Sequence, residues 1–135
     1  MKLETVLQIV AIAQLAIAFL NLFLVRLLDW RGEVAKMPLL LREVFHVHLW
    51  FISITLLIFG VITWQFAPEI ATGTAEIGRW LAAGIGLFWA LRTILQVTYY
   101  SSSHWRGNPG RTTAHVLLLL VYGGFAATYL GAAFA

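Results

Sequence analysis

The residues best suited to chemistry gather at the mouth of an apolar segment, in the run REVFHVHLWF from Arg42 to Phe51. Those ten residues hold a cation, a carboxylate and two imidazoles, and ISITLLIFGVITW follows directly. Glu43-x-x-His46 is the spacing by which a helix presents a carboxylate and an imidazole to one metal ion. A dinuclear site needs further carboxylates inside the apolar segments, and the sequence has none there. A mononuclear site can draw on Glu43, His46 and His115, with His104 folding in from a loop. His46 and His115 also suit the two axial positions of a haem b iron, with nearby arginines meeting the propionates. Bulky Trp50, one turn from His46, works against that haem. His48 lies two residues from His46, about 200° round a helix, so the two cannot readily share one ion. The bland alternative is that Glu43 pairs with Arg42, Arg106 or Arg111 while His46 bonds a neighbouring helix.

Arg92 defines a second constellation. It stands inside the apolar segment GLFWALRTILQVTYY, where a guanidinium must be satisfied by its surroundings. Asn21, Gln96, Tyr99, Tyr100 and Tyr122 fall at comparable depths or on facing stripes and can serve a ligand's polar head beside it. A lipid phosphate, a fatty-acid carboxylate or a quinone oxygen would suit such a group. Snorkelling of Arg92 towards Glu43 is the alternative.

These residues need a scaffold, and composition defines it. The 135-residue chain is 61% hydrophobic and 11% charged, too little charge to coat a water-soluble globule. About 20 mostly apolar residues cross a bilayer, and four such stretches fit: residues 5–28, 39–66, 77–102 and 113–134. Pro38 suits a first helical turn, Pro68 a stop, Thr74 a cap for the third span, and Thr112 or Thr113 a cap for the fourth after the turn Asn108-Pro109-Gly110. The expected fold is all-α: a single integral membrane four-helix bundle, up-down-up-down, covering residues 1–135 as one domain. No cleavable leader is expected, because the first apolar run is too long.

Spacing at i, i+3 and i+4 gives each span a polar stripe. These are Gln14, Ala18, Asn21, Val25 and Leu28; Glu43, His46, Trp50, Ser53, Leu57 and Gly60; Gly86, Trp89, Thr93, Gln96, Tyr100 and Ser103; and His115, Leu119, Tyr122, Ala126 and Tyr129. Gly123 and Gly124 are expected to permit a close helix approach. Six cations (Arg26, Arg31, Lys36, Arg42, Arg106, Arg111) lie towards one membrane face and two (Lys2, Arg79) towards the other. The positive-inside rule then puts both termini outside the cytoplasm, across a bacterial plasma membrane, and all four histidines towards its inner face.

Several classes are excluded. The chain has no cysteine, hence no disulfide and no thiolate chemistry. Its net charge of +3 is scattered singly, which is no nucleic-acid signature. There is no phosphate loop, no nucleophile elbow and no chain of acids for proton relay. Three readings stay open: a redox-related membrane protein holding haem or a single transition-metal ion; a metal-free pocket that binds or modifies a lipid or quinone; and a structural or accessory subunit, as a homo-oligomer or in a larger membrane complex. Whether it is an enzyme is left open with them.

Overall fold

The computed structural model describes residues 2–99, 107 and 109–134. The fold class is as expected. The chain is all-α, with helices α1 (Leu3–Leu22), α2 (Leu24–Leu27), α3 (Arg31–Ala35), α4 (Leu39–Gln65), α5 (Ala67–Thr72), α6 (Glu76–Thr98) and α7 (Pro109–Phe134). Four of them, α1, α4, α6 and α7, have 20, 27, 23 and 26 residues and are apolar enough to cross a membrane. Even the shortest is about 30 Å long at 1.5 Å per residue, the thickness of a hydrocarbon core. Large apolar side chains such as Leu40, Phe51 and Leu120 stand exposed, as lipid contact requires.

The residues fall into two compact units, Gln8–Gln65 and a second made of residues 1–7 with 66–135. In the first, α1 and α4 meet at Gly60, where α4 has no room for a side chain. A Cβ on Gly60 would lie 2.8 Å from Leu15 Cδ2 and 3.2 Å from the Ala11 carbonyl oxygen. The buried stripe of α4 is Leu49, Ser53, Leu56, Gly60 and Thr63. That is the expected face turned by about one residue: Ser53 and Gly60 are on it, whereas Trp50 is 51% exposed.

Polar groups link these helices. Asn21 Nδ2 donates to Ser53 Oγ at 2.9 Å and to the Leu49 carbonyl at 3.3 Å, while the Ser53 hydroxyl donates to that same carbonyl at 2.9 Å. In hydrocarbon such links contribute roughly 0.6–2 kcal/mol and, above all, fix register.

The first span is interrupted at Phe23, whose φ/ψ of −103°/16° leaves the helical region. The short α2 then ends in a Schellman turn. Trp30 N–H donates to the Val25 carbonyl at 2.8 Å and Asp29 N–H to the Arg26 carbonyl at 3.2 Å. Asp29 supplies the left-handed residue, with φ of 55°. Glycine is the usual occupant of that position, and Asp tolerates it better than most.

In the second unit α6 and α7 pack closely. A Cβ at Gly86 would lie 2.8 Å from both Cγ and Cδ2 of Leu130 and 3.0 Å from its backbone nitrogen. The expected approach at Gly123-Gly124 is not where contact occurs: Gly124 has nothing within 4 Å of a built Cβ, and Gly123 only Thr93 Cγ2 at 4.0 Å. Other expectations shift at the helix ends. Thr74 is not the cap of α6. Ala75 holds that position without a side-chain bond, while the Thr74 hydroxyl meets that of Thr72 at 3.2 Å. Helix α7 begins at Pro109 rather than Thr113, because proline has no N–H to lose and a pre-set φ at a first helical position. Thr113 is therefore internal and its hydroxyl donates to the Pro109 carbonyl. Pro68 does not end α4, which stops at Gln65; it sits in the first turn of α5.

Candidate functional site

Helices α6 and α7 together build a continuous polar chain in an otherwise apolar setting. Arg92, six residues from the end of α6, lies about 9 Å inside it at the helical rise. Arg92 Nη1 donates to Gln96 Oε1 at 2.9 Å, one turn along the same face. Gln96 Nε2 and His115 Nδ1 are 2.9 Å apart across the helix pair. The Arg92 guanidinium also rests 4.9 Å from the centroid of the Tyr122 ring, a cation–π contact. Tyr122 is stacked on Trp89 at 5.1 Å, and Phe125 packs edge-on against Trp89 at 4.9 Å. Gln96, Trp89 and Tyr122 are all buried.

This chain decides a tautomer. A guanidinium carries only donors, so Gln96 Oε1 must be the acceptor facing Arg92. The Gln96 amide nitrogen therefore faces His115 and donates to Nδ1. A neutral imidazole accepting at Nδ1 holds its proton on Nε2. Arg92 is thus a donor at every polar atom, and His115 a donor at Nε2.

The imidazoles of α4 are set the other way. His46 Nδ1 lies 2.8 Å from the Arg42 carbonyl, and His48 Nδ1 2.8 Å from the Val44 carbonyl. A carbonyl only accepts, so Nδ1 bears the proton in each neutral ring and Nε2 keeps a lone pair. His46 is half-buried and touches Phe45 and Trp50, whereas His48 is exposed, as its face predicts.

The structure brings together Arg92, Gln96, His115 and Tyr122 of the expected site residues. Trp89 and Phe125, which wall the chain, were not singled out as ligand-binding; their signal was only that each lies on or beside its helix's polar stripe. Asn21 is spent on Ser53 and Leu49 within its own unit. Tyr99 caps α6 and is 79% exposed. Tyr100 and His104 lie outside the described residues. Glu43, exposed, and His46 belong to one unit and His115 to the other. Among the described residues no group of three or more His, Cys, Asp or Glu is placed to hold a metal ion.

Fold and site together define a small all-α integral membrane protein with a polar hydrogen-bonded chain built into one helix pair. Comparison of the chain with protein-family models, with curated proteins and with solved structures finds no match. Its chemistry must therefore be read from the site.

Proposed function

We propose that the α6–α7 chain binds the hydrogen-bond-accepting head of a membrane amphiphile: a quinone carbonyl, or a lipid phosphate or carboxylate. The observation that carries this reading is the fixed direction of the chain, which makes Arg92 and His115 donors together beside an aromatic wall. A flat acceptor ring or a forked anion is the chemical complement of such donors, and the aromatic residues suit the apolar part of such a molecule. Heat denaturation in neutral detergent tests it, with a short-chain quinone and lauric acid as probes and decanol as control. The wild-type protein is expected to gain stability from at least one probe, by about 2.7 kcal/mol at a hundredfold excess over Kd. Arg92→Gln should abolish that gain and leave the ligand-free protein folded. Arg92→Lys should restore little, since a point charge does not replace the planar fork. Stabilisation no greater than by decanol, or retained in Arg92→Gln, would refute the reading.

A second reading keeps one specific support. His46 donates Nδ1–H to a carbonyl and holds its lone pair on Nε2, the arrangement that orients metal-ligating histidines. Haem b or a single transition-metal ion held through His46 would use it. Absorption spectra and elemental analysis of protein purified from native membranes decide the matter: a haem or metal lost in His46→Ala and kept in His48→Ala is the expected signature, and protein free of both ends this reading.

Charge places the molecule in the membrane. With six cations towards one face and two towards the other, both termini are expected outside the cytoplasm. A reporter fused after residue 135 that is active in the cytoplasm would reverse that orientation.

A further inference from the structure

We infer that the cavity where α2 and α3 join α1 to α4 binds the head of an acidic phospholipid that carries a hydroxyl, a monoanionic phosphodiester of the phosphatidylglycerol kind. The cavity's residues are other than those of the α6–α7 chain, and the inference does not depend on that reading. The cavity measures about 390 Å³, and its walls include Phe23, Arg26, Arg31, His46, Leu49 and Trp50.

Two arginines share it, five residues apart. The Schellman turn at Asp29 accounts for this: it reverses the chain between the end of α2 and the start of α3. Neither arginine is neutralised, since the ion pair found among the described residues is Lys36 with Glu33, at 3.6 Å. Two arginines lining one cavity concentrate positive charge there, and an anion can take a forked contact from each.

The third polar wall sets the rest of the ligand. His46 has committed its Nδ1 proton to the Arg42 carbonyl, so its other nitrogen accepts. A bare anion gives an acceptor nothing; a hydroxylated head supplies a donor beside the phosphate. Phe23, Leu49 and Trp50 add apolar wall for the glycerol backbone. A volume of 390 Å³ lies at the small end of ligand pockets, enough for a head group and too small for two acyl chains. The tails must run along the exposed apolar side chains into the bilayer, so the ligand is a lipid rather than a soluble phosphate.

Native mass spectrometry of the purified full chain in neutral detergent tests this, with dioleoyl phosphatidylglycerol, phosphatidylmethanol and phosphatidylcholine as probes. The wild-type protein is expected to bind phosphatidylglycerol at least tenfold more tightly than phosphatidylcholine. Replacing both arginines (Arg26→Gln with Arg31→Gln) should remove about tenfold or more, the scale of one charged hydrogen bond. Lys36→Gln should change affinity less than twofold. Arg26→Lys with Arg31→Lys keeps the charge and should still lose most of the preference, which guards against misfolding as the cause. His46→Phe should erase the preference for phosphatidylglycerol over phosphatidylmethanol, which has the phosphodiester without the hydroxyls. Equal binding of phosphatidylglycerol and phosphatidylcholine, or an equal loss in Lys36→Gln, overturns the site. Displacement of the lipid by a tenfold excess of inorganic phosphate shows a free-anion site and overturns the lipid assignment.

Discussion

Gln96→Leu is expected to destabilise the protein by about 2–4 kcal/mol, because it strands an acceptor on His115 and removes a charge-assisted bond from Arg92. Leucine nearly matches the glutamine in volume, so packing is not the cause. Gln96→Glu separates the two halves of that loss. A carboxylate accepts from Arg92 as the amide oxygen does, but it cannot donate to His115. The ring must then turn its proton to Nδ1 to keep the bond. Nitrogen-15 spectra of the histidine side chains read this directly: Nε2-protonated His115 in the wild-type protein, Nδ1-protonated or doubly protonated His115 in Gln96→Glu. The change also leaves a lone pair on Nε2 of a neutral ring, so metal affinity should appear or rise in that variant. An Nδ1-protonated His115 already present in the wild-type protein would break the chain of inference at its first link.

The other large effect is steric. Gly86→Leu puts side-chain atoms where Leu130 and its backbone nitrogen already are, with the first added carbon 2.8–3.0 Å from them. Overpacking of one or two carbons costs about 1–3 kcal/mol, and here part of the strain falls on backbone as well as on the Leu130 side chain. Helices α6 and α7 should therefore separate, with loss of the Gln96–His115 bond and a destabilisation of at least 3 kcal/mol, above that ordinary range. Gly86→Ala should cost less, and Leu130→Ala should recover part of it, since two of the three close atoms belong to that side chain. Gly84, with nothing within 4 Å, is the control: Gly84→Ala should cost nothing and stabilise by up to about 1 kcal/mol, the ordinary helix-propensity gain. Melting curves that rank the two alanine variants alike would show that the helices do not touch at Gly86.

What the sequence discloses depends on contrast between faces. The four spans are plain because apolar length is a property of the whole segment. Arg92 and Gln96 are legible as neighbours from their i, i+4 spacing, whereas His115 reads as a metal or haem ligand and its bond to Gln96 is not legible. The rotation of α4 is not legible to one residue. In a bilayer both the packed and the lipid faces are apolar, so Leu49 and Leu56 cannot be told from Trp50 and Leu57 by polarity. Gly123-Gly124 looked like the close approach because paired glycines advertise room, yet a missing side chain does not say which way it faces; Gly86, single, meets the neighbour. The turn at Asp29 was hidden for another reason. A non-glycine residue at positive φ is exceptional, and no local residue signals it. The cavity walled by Arg26 and Arg31 was hidden with it, and those residues were legible only as charges that orient the chain.

The hydroxyl groups of the long helices share one habit. Ser53, Thr55, Thr63, Thr93, Thr98, Thr113 and Thr128 each donate to the carbonyl four residues back, at 2.7–2.9 Å. His46 and His48 do the same through Nδ1. Each helix can thus leave the translocon with these polar side chains already folded onto its own backbone, before it has met any other helix. Insertion and assembly are thereby uncoupled for most of the chain. Gln96 is different: its bond to His115 forms only once α7, made after α6, has arrived, whereas the Arg92–Gln96 bond lies within α6 itself.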